Sequence, residues 1–182
     1  MRRSGVLLPV TSLPSRFGIG TFSKEAYAFV DFLKEAGQKL WQILPLGPTG
    51  YGDSPYQAFS TFAGNPYLID LEELIENGWL TEEECENTDW GGSKSYVDYE
   101  KMYQGRFPLL RKAYHNSHIA ENAEFIAFCE ENDWWLSDYA LFMAIKDSQG
   151  GASFLEWDAP LKLREPEAIR RCRHELSDEI CF

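Results

Sequence analysis

The sequence predicts an α/β fold in which a βαβ unit leads into a mainly helical region, and three observations carry that expectation. Residues 5–10 (GVLLPV) and 40–46 (LWQILPL) are short apolar runs of strand length. Between them Ala26, Phe29, Val30 and Leu33 recur at the i, i+3, i+4, i+7 spacing of one helix face. Two strands joined by a helix pair in parallel, because a hairpin cannot link them. Beyond Asn65 the apolar residues recur mostly at helical spacing, up to Gly150 and Gly151.

Each element has its own punctuation. TSLPSRFGIGTF is a Gly/Pro/Ser-rich loop, and Ser23 then stands where a helix N-cap is wanted. Gly37 suits the left-handed residue of a helix C-terminus. NPYLIDLEELIENGWL reads as a brief extended segment and one or two helical turns closed by Asn77-Gly78. Thr81 with Glu84 three residues on makes a capping box, and ENTDWGGSKS is a loop. Asp98 opens a helix carrying Tyr99, Met102, Tyr103, Leu110, Ala113 and Tyr114, with a kink expected at Pro108. Asn122 starts another, with Phe125, Ile126 and Cys129 inward, and Trp135, Tyr139, Phe142 and Met143 mark a further one. Pro166 suits a first helical position, and Ile169, Cys172, Leu176 and Ile180 form the apolar stripe of the last helix. That helix meets Cys181-Phe182 with no cap, which reads as a cut.

Composition narrows the classes of function. The 182 residues are 44% hydrophobic, which suits a globular chain with a real core. The formal net charge of −12 repels nucleic acid and anionic membranes, but not neutral ligands. No apolar run approaches the roughly 20 residues of a membrane span. The basic pair at the N-terminus precedes apolar residues interrupted by Pro9 and Pro14, without a small-residue cleavage site, so a first strand in a cytosolic protein is expected rather than a signal peptide. Cys85, Cys129, Cys172 and Cys181 are scattered and form no metal or disulfide pattern. His115 and His118 lack partners for a metal and are expected on the surface, and no cofactor is implied. Aromatic residues make up 15%, which suits a large aromatic core or a surface that stacks a hydroxyl-rich ligand.

The stretch that asks for a ligand is residues 45–57, PLGPTGYGDSPYQ. Gly47, Gly50 and Gly52 permit close approach and sharp turns, while Pro48 and Pro55 stiffen the loop and reduce the entropy lost on docking. Tyr51 and Tyr56 offer rings and hydroxyls, and Ser54 a small donor and acceptor. Asp53 could meet a ligand or cap its own turn, and the tyrosines could equally pack against neighbouring helices. Trp79, Trp90, Trp134, Trp135 and Trp157 lack motif support and are read as packing residues.

GVLLPVTSLPS, LWQILPLGPTGYGDSPYQ, FAGNPYLIDL and WWLSDYALFMAIK, in that order, resemble the N-terminal part of the amylomaltases, the 4-alpha-glucanotransferases of the alpha-amylase superfamily. The resemblance implies the N-terminal part of a (β/α)8 TIM barrel: 1–64 as the first βαβ unit with a substrate loop, 65–160 as a mainly helical insertion, and 161–182 as a truncated barrel-associated helix. It implies a cytoplasmic enzyme that moves alpha-1,4-glucan segments between maltooligosaccharides by a retaining double displacement. Ser54 and Tyr56 match positions lining the donor groove, and Tyr51 one near a second glucan site; with that match, the ligand reading of the loop is preferred, and Asp53 stands beside them as a candidate sugar contact for which capping of its own turn is at least as well supported.

Retaining chemistry needs two carboxyls about 5 Å apart. The family's catalytic blocks come later than this chain reaches, and the acids present have other readings. Asp70 is expected to brace a loop, and Glu82 to Glu84 suit a helix first turn. No catalytic residue is assigned, and the chain alone is expected to be inactive. The alternatives are a stand-alone maltooligosaccharide-binding module, or an unrelated small α/β enzyme, for which no nucleophile with an adjacent base is visible.

Overall fold

The parallel pair is present and short. The computed structural model describes residues 2–50, 52–93 and 95–182, and pairs β1 (Gly5–Leu7) with β2 (Leu40–Gln42) in the register Gly5 to Leu40, Val6 to Trp41 and Leu7 to Gln42. The Leu8 N–H extends the ladder by one bond to the Gln42 carbonyl, at 3.0 Å. Both strands are shorter than the apolar runs suggested. Pro9 has no N–H to give and Val10–Ser12 turns into a 3-10 helix, while Pro45 interrupts the second run.

Between the strands runs α1 (Lys24–Glu35). Ser23 is its N-cap through the backbone only: its carbonyl accepts from Ala26, and its hydroxyl makes no capping bond. Gly37 follows in the left-handed region at φ 72°. Ala26 and Leu33 are buried, and Phe29 packs edge-on against Trp41 with ring centroids 5.0 Å apart. Val30, expected inward, is exposed. So are Leu7 at 56%, Phe32 at 59% and Tyr27 at 74%.

The described residues divide into two compact units, Met1–Ser117 and His118–Phe182. In the first, α2 (Leu71–Glu76), α3 (Glu82–Glu86) and α4 (Tyr99–Ser117) join the βαβ segment. The capping box is formed: Glu84 N–H donates to Thr81 Oγ1, and Thr81 N–H donates to Glu84 Oε2. One core gathers Leu71, Leu80, Cys85 and Leu109 around Phe17, with Trp79 and Trp90 packed against it. A second joins Ile19, Tyr67 and Met102, and a third lies under β1 and α1 around Val10, Leu13 and Ala26. Pro108 sits inside α4 without ending it. It removes the bond to the carbonyl four residues back, and both Pro108 and Gln104 are exposed, so water can serve that carbonyl.

In the second unit the two helices expected between Asn122 and Gly150 are one, α5 (Ala123–Ser148). The polar stretch Glu130 to Asp133 contains neither Gly nor Pro, so its side chains face outward and the helix runs on. Asn122 caps it by accepting from the Glu124 and Phe125 N–H groups. Buried Leu141 and Ile145 pack with Trp157, with Leu161 of α6 (Ala159–Lys162), and with Ala168 and Cys172 of α7 (Pro166–Glu175). The stripe continues through Leu176 to Ile180 on α8 (Ser177–Cys181). Ile126, expected inward, and Trp134, expected to pack, are both exposed. His115 and His118 are exposed, and do not share a helix face because His118 lies beyond α4 at φ 49°. No described helix is long and apolar enough to cross a membrane.

Exposed apolar side chains on β1 and α1 should make the isolated chain bind an apolar dye such as ANS and unfold over a broad range; a sharp melt without dye binding would count against this. Acid should loosen the capped helices. Hydrogen bonds from Lys112 and from the Thr81 backbone hold the Glu84 carboxyl below its ordinary value. A depressed carboxylate stabilises above its unfolded value and loses that contribution as pH falls through its folded value. Far-UV circular dichroism should therefore show helix loss on acidification below the ordinary glutamate range, and Glu84→Gln should remove part of the pH dependence.

Candidate functional site

The loop after β2 is tied at its base and turned at its tip. Asn65 N–H donates to the Leu46 carbonyl at 2.8 Å, so residues 47–64 leave and return at one point. Just inside that base no side chain fits at Gly47: a Cβ there would lie 2.9 Å from the Ala58 Cβ and 3.0 Å from the Ser60 carbonyl oxygen. Ser60 Oγ accepts from the Phe62 and Ala63 N–H groups, turning the returning arm. Pro48 is buried beneath.

At the tip, Asp53 N–H donates to the Gly50 carbonyl at 3.1 Å, and Gln57 N–H to the Ser54 carbonyl at 3.1 Å. Gly52 and Asp53 both take left-handed backbone, at φ 91° and 52°. Aspartate tolerates that region better than most residues, which fits this type in the turn. Of the four residues the sequence singled out, Tyr51 lies outside the described residues. Asp53 and Ser54 are half-buried, and the Tyr56 ring is 73% exposed.

Asp53 is half-buried at the tip of the loop. Burial alone pushes its carboxyl up, and among the described residues it accepts no side-chain hydrogen bond that would cap its own turn. Its charge reaches both Tyr67 and Tyr99. The Tyr67 phenol is pushed up to about 12, chiefly by desolvation and then by Asp53, with Arg106 acting the other way. Tyr99 is also raised by burial and then by Asp53, against a hydrogen bond with Thr11. The Tyr67 ring meets Tyr99 and Phe107 with centroids 5.9 Å apart in each case. These residues belong to the 3-10 turn Pro66–Leu68 and to α4, which brings a phenolic cluster beneath the loop.

The other acids that the sequence singled out have local partners. Asp70 N-caps α2, accepting from Glu72 N–H at 3.1 Å, rather than bracing a loop. Glu82 and Glu86 share Arg16, at 2.6 and 2.7 Å, and Glu84 pairs with Lys112. Among the described residues no group of three His, Cys, Asp or Glu could hold a metal ion.

Sequence reasoning missed Arg106. Its guanidinium is 0% exposed, Nη2 donates to the Ile69 carbonyl, and among the described residues Nε and Nη1 have no partner. Desolvation brings it down to about 10, so it is a cation at neutral pH. The signal was present: position 106 falls on the stripe of Met102, Leu109, Leu110 and Ala113.

Comparison with known proteins gives this geometry its context. The 4-alpha-glucanotransferase family model matches residues 8–182. A 4-alpha-glucanotransferase of Thermus thermophilus is 48% identical over the whole chain, which covers 36% of that protein. One of Clostridium butyricum is 46% identical, with 95% of this chain and 36% of that protein covered. The amylomaltase from Streptococcus agalactiae in complex with acarbose superposes with a TM-score of 0.92 at 46% identity, over all of this chain and 37% of that one. The chain thus spans about 36% of the length of the relatives it matches, and over that span it belongs to the 4-alpha-glucanotransferase family.

Proposed function

We propose that this chain is the N-terminal part of a cytosolic 4-alpha-glucanotransferase, and that residues 47–64 form one wall of its glucan groove. The complete enzyme transfers alpha-1,4-glucan segments between maltooligosaccharides. One observation carries the reading: a loop latched at its base leaves the ring of Tyr56 exposed beside half-buried Ser54, in a chain that belongs to this family. A flat ring with a hydroxyl beside it suits a sugar, whose apolar face stacks while its rim hydrogen-bonds. The acarbose bound by the Streptococcus agalactiae relative supports a glucan-like ligand. The exposed flank of α1 and β1 supports completion of the sheet to a (β/α)8 barrel, in which loops following strands line the ligand-binding mouth.

Double displacement requires a nucleophile and an acid/base on either side of one glycosidic bond. Among the described residues no second carboxyl acts on Asp53, Asp70 caps a helix, and Glu82, Glu84 and Glu86 pair with cations. The wall therefore binds and orients glucan, and the catalytic carboxyls come from outside this chain.

Incubating the pure chain with maltotriose should give no longer oligosaccharides; a ladder of products would overturn the division of labour. In the complete enzyme, Tyr56→Ala should raise KM for maltotriose about fivefold, the loss of about 1 kcal/mol of stacking, with kcat little changed. The exposure of Tyr56 also favours a second reading, a glucan-binding module that works without chemistry. Calorimetric titration of the chain with a long maltooligosaccharide separates the two, because a flat titration removes the module.

A further inference from the structure

A buried guanidinium is costly unless something in the fold uses its charge. Arg106 shares its face of α4 with Met102, Leu109 and Leu110, and an apolar side chain would fill that place without the penalty. The polar groups around it are Asp70, Cys85 and Tyr67, and its one hydrogen bond goes to the carbonyl of Ile69. That carbonyl stands between the turn Pro66–Leu68 and the N-cap of α2. Within the same short segment, Asn65 Oδ1 accepts from Tyr67 N–H, and Asn65 N–H closes the loop onto Leu46. Phe107, next to Arg106 on α4, meets the Tyr67 ring edge-on. A line of contacts thus runs from the buried cation to both ends of the loop.

We propose that Arg106 is a positioning residue of the sugar-facing loop: its charge-assisted bond to the Ile69 carbonyl fixes residues 65–70, and through the Asn65 latch fixes the loop from 47 to 64. A bond with an ionised donor is roughly twice as strong as a neutral one, which is the use the fold makes of the charge. The inference rests on the glucan-wall reading of that loop. Its test uses no sugar, so either can fail while the other stands.

Chymotrypsin, applied to the complete enzyme, cuts after aromatic residues, and the loop offers Tyr51, Tyr56, Phe59 and Phe62, while Tyr103 and Phe107 on α4 report on wider opening. Cleavage at the two places, followed by mass spectrometry, gives a loop-to-helix ratio that general destabilisation leaves unmoved. Arg106→Met should raise that ratio about tenfold with the far-UV helix signal unchanged, the signature of local opening. Arg106→Lys, which keeps charge and donor, should stay within about twofold of the parent chain. Arg106→Gln, which keeps a donor without charge, should raise the ratio about threefold. An unchanged ratio in Arg106→Met, or a Lys variant as loose as Met, overturns the proposal. Should Arg106→Met lose its helix signal, Arg106→Gln decides alone, and a parental ratio there overturns it.

Discussion

Two parallel strands can be joined only by a long crossover, and a parallel sheet normally has both faces covered and its edges protected. That constraint organises the first unit. It accounts for α1 between β1 and β2, for the packing of Phe29 on Trp41, and for the depth at which Val10 and Leu13 lie. It also gives meaning to what stays uncovered. Two strands cannot close on themselves, so Leu7, Leu40, Tyr27 and Phe32 keep apolar surface in water. In a chain that spans about a third of its relatives, that exposed surface agrees with the proposal of a larger sheet.

The site follows from the same strand. Where β2 ends, the chain must leave the sheet, and Pro45, Gly47 and Pro48 direct it into a long excursion closed by one backbone bond. Beneath it α4 supplies aromatic support through Tyr99 and Phe107, and a cation through Arg106. The loop leaves Tyr56 exposed, while Asp53 and Ser54 are half-buried.

Much of this was legible in the sequence because its causes are local. The Thr81–Glu84 box, the left-handed Gly37 and the stripe from Ile169 to Ile180 are set by neighbours a few residues away. The strand lengths were less legible, because the apolar run that suggests a strand continues past the prolines that end it. The continuity of α5 was hidden by four polar residues that look like a loop and lack the Gly or Pro a break requires. Arg106 was hidden for a different reason: an arginine on a helix is ordinarily solvated, and only tertiary packing buries it. Asp70 and Ser23 show the limit from the other side. Both occupy cap positions, but whether the side chain or only the backbone makes the bond depends on neighbours that sequence spacing does not display.

The latch between Asn65 and Leu46 has an evolutionary consequence. Eighteen residues depart and rejoin across one amide contact, so the excursion is a cassette whose interior can change length or composition while the strands and helices that carry it keep their geometry. A change of sequence inside this cassette can therefore arise without disturbing the scaffold's own assembly.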